Sequence, residues 1–216
     1  MKRLISICGA SASGKTTLSF SIINWLNANH NGCAGVLVPL DSYYKDLSHL
    51  PMNDRIEANF DHPDLIDFEL IEHHLSELLD GRAISMPNYC FKTHSRLSTT
   101  TEILHADIVI LEGIHVFHSQ AIRELSSFNA YIDLDDEVCL ARRILRDTTE
   151  RGRTEECVKS QFYDTVLPMA DKFIKPSSVH ADILIRGAKP QEKMLDRVVS
   201  DEMFLDLVQT VSKANV

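Results

Sequence analysis

The stretch GASASGKT, residues 9–16, lies between the apolar run LISIC (4–8) and a segment with helical spacing, KTTLSFSIINWLNA (15–28). It matches the pattern G-x-x-x-x-G-K-[ST] at every fixed position, namely Gly9, Gly14, Lys15 and Thr16. Glycines let the backbone turn tightly and bring its N–H groups to phosphate oxygens. Because a strand and a helix flank the motif, we interpret it as a nucleotide phosphate loop and not as an accidental glycine–serine turn.

Two side chains of this loop have specific expected tasks. Lys15 is expected to reach the β- and γ-phosphates and to act in catalysis, and the hydroxyl of Thr16 to bind Mg²⁺. The helix that begins near Lys15 points its positive end at the same anion. The predicted nucleotide-binding residues of this segment are Gly9, Ala10, Ser11, Ala12, Ser13, Gly14, Lys15, Thr16 and Thr17.

The composition limits the class of protein. The chain has 216 residues, 44% of them hydrophobic and 25% charged, which suits one soluble globular domain over 1–216. Its net charge of −9 argues against a general nucleic-acid or anionic-membrane binder. No apolar stretch approaches the ~20 residues of a membrane span. Met1-Lys2-Arg3 precede the first strand, so we expect no signal peptide, and five scattered cysteines suggest reduced thiols in the cytoplasm.

Apolar runs alternate with helical patterns along the chain, which predicts an α/β fold. Runs such as DIVIL (107–111) are apolar at almost every position, as in parallel strands covered on both faces. Strands are predicted at 3–8, 35–40, 106–111, 129–134 and 182–185. Helices are predicted at 15–29, 64–79, 118–126, 136–149, 155–172 and 190–211. The fold class is therefore a nucleotide-binding parallel sheet with helices on both faces.

Three local features refine this prediction. Pro39 cannot donate a ladder hydrogen bond, so it favours an edge strand or a strand end. Residues 81–103 carry β-prone residues without a helical period, which suggests a small antiparallel hairpin outside the main sheet. His73 and His74 fall off the apolar stripe of their helix and are interpreted as surface residues.

Two acidic residues stand at predicted strand ends, where ligands bind in open α/β sheets. Asp41 ends GVLVPLD and Glu112 ends ADIVILEG. Phosphoryl transfer needs a metal to neutralise charge and a group that deprotonates the acceptor. Glu112 suits metal binding, and Asp41 suits either task. The alternative is that both acids simply begin loops.

An arginine-rich segment, RRILRDTTERGR (142–153), stands out in this acidic chain. Five arginines and no lysine favour planar, multidentate binding of oxyanions. The pattern breaks at Gly152, which suggests a hinge. We predict that residues 142–172 form a lid over the transferring phosphate, the alternative being a solvated helix end that complements the helix dipole.

A second substrate would fit two polar-aromatic segments, NFDHPDLIDF (59–68) and YCFKTHSR (89–96). An aromatic ring can stack on a flat base, a carboxylate can hold hydroxyl groups, and a histidine can donate or accept. That combination suits a nucleoside. Core packing is the alternative for Phe60, Tyr89 and Phe91.

The order of GASASGKT, LDSYYKD, NFDHPD, YCFKTHSR, LEGI, RRILRDTTERGR and SQFYDTVLPMADKFIKPS resembles the uridine kinase (uridine–cytidine kinase) family over residues 4 to 187. The phosphate loop alone occurs in many nucleotide-hydrolysing proteins, whereas LDSYYKD with NFDHPD is far more selective. The resemblance implies ATP- or GTP-dependent phosphorylation of uridine and cytidine to UMP and CMP, as in pyrimidine salvage. It also implies a Mg²⁺ cofactor, a homotetramer and feedback by CTP or UTP.

The resemblance also implies roles for individual residues. Asp41 corresponds to the base that activates the ribose 5′-hydroxyl, and Asp61 to the acid that holds the 2′- and 3′-hydroxyls. The implied metal ligands are Thr16, Asp41 and Glu112. The implied donor-side lid residues are Arg146 and Arg151. The other implied substrate-side residues are Tyr44, Phe60, Tyr89, Phe91, His94, Ile114, Arg143, Arg153 and Gln161.

Tyr89 and His94 correspond to the base-reading pair, and the chemistry of imidazole supports one histidine reading both pyrimidines. Uracil presents an acceptor at position 4 and cytosine a donor, and a neutral imidazole offers either an N–H or a lone pair. A purine would be excluded because it is one ring too large.

The chain departs from the family pattern at His115 and His118, where apolar or aromatic residues are usual, and at Pro190, so no contact with the donor base is assigned. Two rivals remain at this level. One is a sibling kinase such as phosphoribulokinase or pantothenate kinase, and the other is a nucleotide-binding switch, which needs no acceptor pocket.

Overall fold

The computed structural model describes residues 3–30 and 33–214, without the side chains of residues 213 and 214. Met1 and Lys2, on which the expectation of no signal peptide rests, lie outside the described residues. The strands are β1 Arg3–Gly9, β2 Gly35–Pro39, β3 Ile84–Cys90, β4 Ser95–Ile103, β5 Ile108–Glu112, β6 Ser126–Asp133 and β7 Ile183–Arg186. The α-helices are α1 Lys15–Asn29, α2 Met52–Glu57, α3 Phe68–Leu79, α4 Gln120–Leu125, α5 Asp136–Glu150, α6 Glu155–Gln161, α7 Leu167–Met169, α8 Gln191–Val199 and α9 Glu202–Ala214.

Five strands form a parallel sheet in the order β2-β5-β1-β6-β7, with helices on both faces. Alternate residues of β5 pack to opposite sides. Val109 and Leu111 join the core under α3 and α4, while Ile108 and Ile110 join the core under α1, α8 and α9. Every residue of β5 is buried. This two-sided burial is the physical reason why the strand is apolar throughout, and the predicted α/β class is confirmed.

The sheet brings the two predicted strand-end acids, Asp41 and Glu112, together at the carboxyl ends of its strands. In the strand register Glu112, the last residue of β5, lies opposite Pro39 of β2 on one side and Ile7 of β1 on the other. Asp41 follows β2 in a short 3₁₀ helix, Leu40–Tyr43. Pro39 ends β2, which is an edge strand, as its missing N–H predicts.

The predicted hairpin is present, formed by β3 and β4 as an antiparallel pair apart from the main sheet. Arg96 of β4 attaches the hairpin to the segment after β2. Its Nε donates to the carbonyl oxygen of Tyr44 at 2.8 Å, and an Nη donates to the carboxylate of Asp67 at 3.0 Å. The hairpin is therefore fixed against the loop that carries Asp41.

Two predicted helices differ from those observed because aspartates cap the backbone. The predicted helix at 190–211 is two helices, α8 and α9. Asp201 lies between them, and its carboxylate accepts the N–H of Met203 at 3.1 Å. The predicted helix at 64–79 begins at Phe68, because the carboxylate of Asp67 accepts the N–H of Leu70 at 3.1 Å. An aspartate that bonds nearby N–H groups favours a helix start over a helix interior.

Other differences are smaller. Residues 162–166 and 170–174 are wider π-helical turns around α7, which contains Pro168 and so lacks one backbone donor. The short helix α2 was not predicted. Of the two histidines interpreted as surface residues, His73 is exposed, whereas His74 is half-buried and its Nδ1 lies 3.0 Å from the hydroxyl of the buried Tyr43.

Within residues 3–30 and 33–214, no helix is both long enough and apolar enough to cross a membrane.

The last helix places one aromatic ring in the core beside Leu207, Val208 and Val211, and this ring gives a stability prediction. Phe204 is 0% exposed, and its ring centroid lies 5.6 Å from that of Phe128 and 5.8 Å from that of Trp25. We expect Phe204→Ala to lower the free energy of unfolding by about 3–5 kcal/mol, because it removes a large buried side chain and leaves a cavity. Urea-induced unfolding measures this loss.

The neighbouring Met203, 48% exposed, provides the control. Met203→Ala changes the same helix at its solvent side and is expected to stay within about 0.5 kcal/mol of wild type. Equal losses in the two variants would contradict the packing of α9 described above.

Candidate active site

The phosphate loop has the backbone shape that its glycines allow. Gly9 has φ +149°, and a Cβ there would stand 2.7 Å from the carbonyl oxygen of Ile132 in β6. Gly14, with φ +105°, directly precedes α1. Lys15 is buried, and its ammonium donates to the carbonyl oxygen of Ala10 at 2.9 Å, so the side chain folds back across the loop. Any larger residue at position 9 would push the loop away from the sheet.

A cavity of about 460 Å³ opens beside this loop, and we call it the phosphate cavity. Its walls come from the loop, the two strand-end acids, the arginine-rich helix and the start of α8. The lining residues are Ser11, Ala12, Gly14, Lys15, Thr16, Thr17, Leu18, Asp41, Glu112, Ile114, Arg142, Arg146, Lys189, Gln191 and Met194. Its size is in the range of small-molecule sites, and its position at the carboxyl edge of the sheet is the usual one.

Two carboxylates and a hydroxyl meet on one side of the phosphate cavity. The hydroxyl of Thr16 donates to Glu112 at 2.8 Å. Burial raises the pKa of Glu112, opposed by the charge of Lys15, and the nearby Asp41 raises it further. Burial also raises the pKa of Asp41, while Lys15, Arg151 and Arg146 oppose the rise.

These oxygen atoms suit a hard cation. Carboxylate and hydroxyl oxygens are ligands that Mg²⁺ accepts alongside water and phosphate, and this small set leaves room for both. No group of three or more His, Cys, Asp or Glu side chains that could hold a metal occurs in the described part of the chain. The residues therefore fit an ion held together with a nucleotide better than an all-protein metal cage.

Four rings, from Tyr44, Phe60, Tyr89 and His94, pack together between the hairpin and residues 59–62, and we call this group the aromatic pocket. Phe60 and His94 stack with centroids 4.9 Å apart, and Tyr44 meets Phe60 edge-on at 5.4 Å. Among the residues that the structure describes, the buried hydroxyl of Tyr89 has no hydrogen-bond partner. A buried donor without a partner is unusual in a protein interior, so this hydroxyl is available to a ligand.

A histidine on the hairpin and an aspartate beside Phe60 are ionisable groups of this region. His94 adopts φ +49°, a left-handed conformation at the hairpin turn. Burial lowers its pKa, and the charges of Arg153 and Arg55 lower it further. Asp61 is buried, and burial raises its pKa, which Arg143 opposes and Asp41 reinforces. The imidazole is thus held neutral, while Asp61 lies within electrostatic reach of both the arginines and Asp41.

The arginine-rich segment contacts both the phosphate loop and the hairpin. One Nη of Arg143 donates to the hydroxyl of Ser11 in the phosphate loop at 2.9 Å, and the other donates to Gln161 at 2.9 Å. Arg153 donates to the same amide oxygen at 2.6 Å. Arg151 lies over the ring of Phe91 at 5.1 Å.

Most predicted site residues therefore lie at the phosphate cavity, in the aromatic pocket or on the arginine-rich segment. Two are placed differently from the expectation. Ile114 lines the phosphate cavity, and Phe91 is 43% exposed, with Tyr89 and Arg151 as its ring contacts. Ser13 is buried, and its hydroxyl has no partner within the described part of the chain.

Sequence reasoning missed several residues of the site. His115, whose role it left open, is buried, and its Nε2 lies 2.8 Å from the carbonyl oxygen of Asp61. Burial lowers the pKa of His115 to about 4, so the ring is neutral. Asp147 is buried within the arginine segment. The spacing of the sequence indicated ion pairs for Asp147, since arginines stand four residues before and after it. The sequence around His115 gave no such signal.

Known proteins share this fold. Phosphoribulokinase from Rhodobacter spheroides superposes with a TM-score of 0.63 at 14% identity, over 88% of this chain and 74% of that one. D-glycerate 3-kinase from Cryptococcus neoformans superposes with a TM-score of 0.60 at 16% identity, over 88% and 87% of the two chains. At these identities the likeness concerns the fold alone.

Sequence relatives are much more similar. A uridine kinase of Vibrio atlanticus is 40% identical over 187 residues, 86% of this chain and 88% of that protein. Uridine-cytidine kinase A of Dictyostelium discoideum is 46% identical over 186 residues, 86% of this chain and 36% of that protein.

The sequence model of the phosphoribulokinase / uridine kinase family matches residues 4–193, a span that begins in β1, ends in α8 and contains the phosphate loop and the aromatic pocket. The chain therefore belongs to the phosphoribulokinase / uridine kinase family of kinases.

Proposed function

We propose that this protein transfers the γ-phosphoryl group of ATP or GTP to the 5′-hydroxyl of uridine and cytidine, giving UMP and CMP. One observation carries the proposal. The aromatic pocket contains a neutral histidine and a tyrosine hydroxyl without a partner among the described residues, and its Tyr44 lies within electrostatic reach of Asp41, which stands in the wall of the phosphate cavity. The names of the 40–46% identical relatives support the same substrates.

On the donor side, residues 9–17 hold the triphosphate. Backbone N–H groups of the loop and the ammonium of Lys15 bind phosphate oxygens, and Arg146 reaches the same cavity from α5. Thr16, Glu112 and Asp41 would hold Mg²⁺, which when bound neutralises the charge of the transferring group.

On the acceptor side, Asp61 holds the ribose 2′- and 3′-hydroxyls and the aromatic pocket holds the base. On the lid side the substrate is enclosed by Arg143, Arg153 and Gln161. Ile114 and Phe91 lie at the margins of the site. The 5′-hydroxyl then faces Asp41. Its oxygen attacks the γ-phosphorus, the bond from that phosphorus to the ADP oxygen breaks, and the hydroxyl proton passes to Asp41. The raised pKa of Asp41 makes it a better proton acceptor than an ordinary carboxylate.

The lid, residues 142–172, closes over the phosphates about Gly152, which has φ +66° and open space where a Cβ would stand. Closure excludes water and favours transfer to the nucleoside over hydrolysis. The remaining parts of the proposal follow from the family: a cytoplasmic homotetramer in pyrimidine salvage, with CTP or UTP as feedback inhibitors.

A panel of acceptors tests the proposed reaction. We expect ADP formation from ATP only when uridine or cytidine is present, in a one-to-one ratio with UMP or CMP, and none with adenosine or ribulose 5-phosphate. Coupled detection of ADP with chromatography of the nucleotides measures both products. Steady ADP release without any acceptor would favour a nucleotide-binding switch, and activity with the sugar phosphate would favour a phosphoribulokinase-type reaction.

Asp41→Asn tests the base. The amide keeps the shape but cannot accept the proton, so turnover should fall about 10²- to 10⁴-fold with little change in the KM for uridine. Asp54→Asn removes one negative charge from an exposed position on α2 and should behave as wild type. Wild-type turnover in Asp41→Asn would refute the assignment of the base.

The charge of His94 gives a pH prediction that separates the two nucleosides. Its pKa lies below the ordinary value of 6.5, so the ring is neutral at pH 7 and becomes protonated only as the pH falls through that lower value. An imidazolium donates but cannot accept, so it still serves O4 of uracil and leaves the amino group of cytosine unpaired. We therefore expect the affinity for cytidine to fall at least ~5-fold more than that for uridine between pH 7 and 5.

Variants of His94 provide the control. Glutamine does not titrate and can donate or accept by rotating its amide, so His94→Gln should remove this pH dependence of the ratio. His94→Asn is too short to reach the base and should lower kcat/KM for both nucleosides. A pH-independent ratio in the wild type, or wild-type efficiency for both nucleosides in both variants, would contradict the role of His94.

A further inference from the structure

One buried carboxylate stands at the centre of the arginine-rich segment. Asp147 is 0% exposed, and four guanidinium groups surround it; we call them the arginine cluster. The nitrogen-to-oxygen distances are 2.8 Å for Arg146, 3.4 Å for Arg153, and 3.6 Å for both Arg143 and Arg151. Like charges this close would repel one another strongly without the anion between them.

The backbone at the end of α5 creates this arrangement. The carbonyl oxygen of Asp147 accepts the N–H of Arg151 at 3.3 Å and the N–H of Arg153 at 3.1 Å. Gly152, in the left-handed conformation, turns the chain between them. The chain therefore folds back after the helix, and two arginines from beyond the helix meet two from within it.

The carboxylate of Asp147 joins the two donor-side arginines, which share one of its oxygens, to the two acceptor-side arginines, which share the other. Oδ1 holds Arg146, which lines the phosphate cavity, and Arg151, which lies over Phe91 of the hairpin.

Oδ2 holds Arg143, which donates to Ser11 of the phosphate loop, and Arg153, whose charge acts on His94 and Asp61. The amide oxygen of Gln161 bridges Arg143 and Arg153 a second time. A shift of either arginine in a pair is thus transmitted to the other through the shared oxygen.

We propose that Asp147 is a positioning residue that couples nucleoside binding to triphosphate binding. This inference rests on the proposed function. A triphosphate that attracts Arg146 and Arg151 draws on the carboxylate that also orients Arg143 and Arg153, so the acceptor side is set only when the donor side is filled. Asp147 itself contacts neither substrate and acts entirely through the four arginines.

Titration calorimetry of uridine, with and without Mg²⁺ and a non-hydrolysable ATP analogue, tests the coupling. In the wild type we expect the analogue to tighten uridine binding at least ~5-fold, and the reverse titration to give the same factor. In Asp147→Asn we expect this factor to fall to within ~2-fold of one, with a higher KM for each substrate and a lower kcat. A purely structural role would lower the melting temperature and the active fraction but leave the coupling factor unchanged.

Glu150→Gln is the matched control, since it removes the same charge from an exposed position of the same helix and should keep the wild-type factor. If Asp147→Asn does not fold, Asp147→Glu decides, because it keeps the charge but moves the carboxylate relative to the arginines. Wild-type coupling in either Asp147 variant that folds, or no coupling in the wild type, would overturn the proposal.

Failure of the proposed function has a separate signature. A wild-type protein that binds the ATP analogue but neither binds nor phosphorylates uridine or cytidine would contradict that function, and this inference with it. Normal uridine phosphorylation with unchanged coupling in the Asp147 variants would contradict the inference alone.

Discussion

The pairing of β1 with β5 is the constraint on which the rest of the site depends. Its register puts Ile7 opposite Glu112, so the phosphate loop leaves the sheet beside the acid that ends the neighbouring strand. The hydrogen bond from Thr16 to Glu112 is a direct consequence of this register. A slip of one residue would turn Glu112 to the opposite face of the sheet and separate the loop from its acid. The apolar faces of both strands, buried in two cores, hold the register in place.

Charge balance explains how so many ionisable groups can lie together in the protein interior. Lys15 and the arginine cluster offset the desolvation of Asp41, Asp61 and Glu112, although burial still raises the pKa of each acid. An isolated buried charge would be very costly, whereas a set of alternating charges with hydrogen bonds is tolerated. The same balance accounts for a compact basic region in a chain of net charge −9. The basic residues of this region serve to bind the phosphate groups of the ligand, and the surface as a whole remains acidic.

The sequence was sufficient where one local pattern had one physical cause. Glycine spacing predicted the phosphate loop, continuous apolar strands predicted the two-sided sheet, and Pro39 predicted an edge. The sequence was insufficient where a side-chain hydrogen bond ended a helix early, or where the chain folds back after a helix and brings distant residues together. The helical pattern over 190–211 concealed the aspartate that caps α9. The burial of Asp147 could not be deduced, because it requires the turn at Gly152 that brings back Arg151 and Arg153. The sequence left the role of His115 open, and only the fold brings its Nε2 to 2.8 Å from the carbonyl oxygen of Asp61.

The residues that bind the phosphate donor lie at the edge of the sheet, whereas the residues that select the acceptor lie on segments attached to the sheet. The phosphate loop and Glu112 are attached to strands of the rigid core, whose register fixes their positions. The aromatic pocket is built from a 3₁₀ turn, residues 59–62 and a hairpin outside the sheet. Arg96 fixes the hairpin to that turn through carbonyl and carboxylate oxygens, so the pocket is rigid without being part of the sheet. Such a pocket can change its residues without altering the register of β1 and β5. Kinases with names as different as phosphoribulokinase and D-glycerate 3-kinase share this fold at 14–16% identity, as that independence allows.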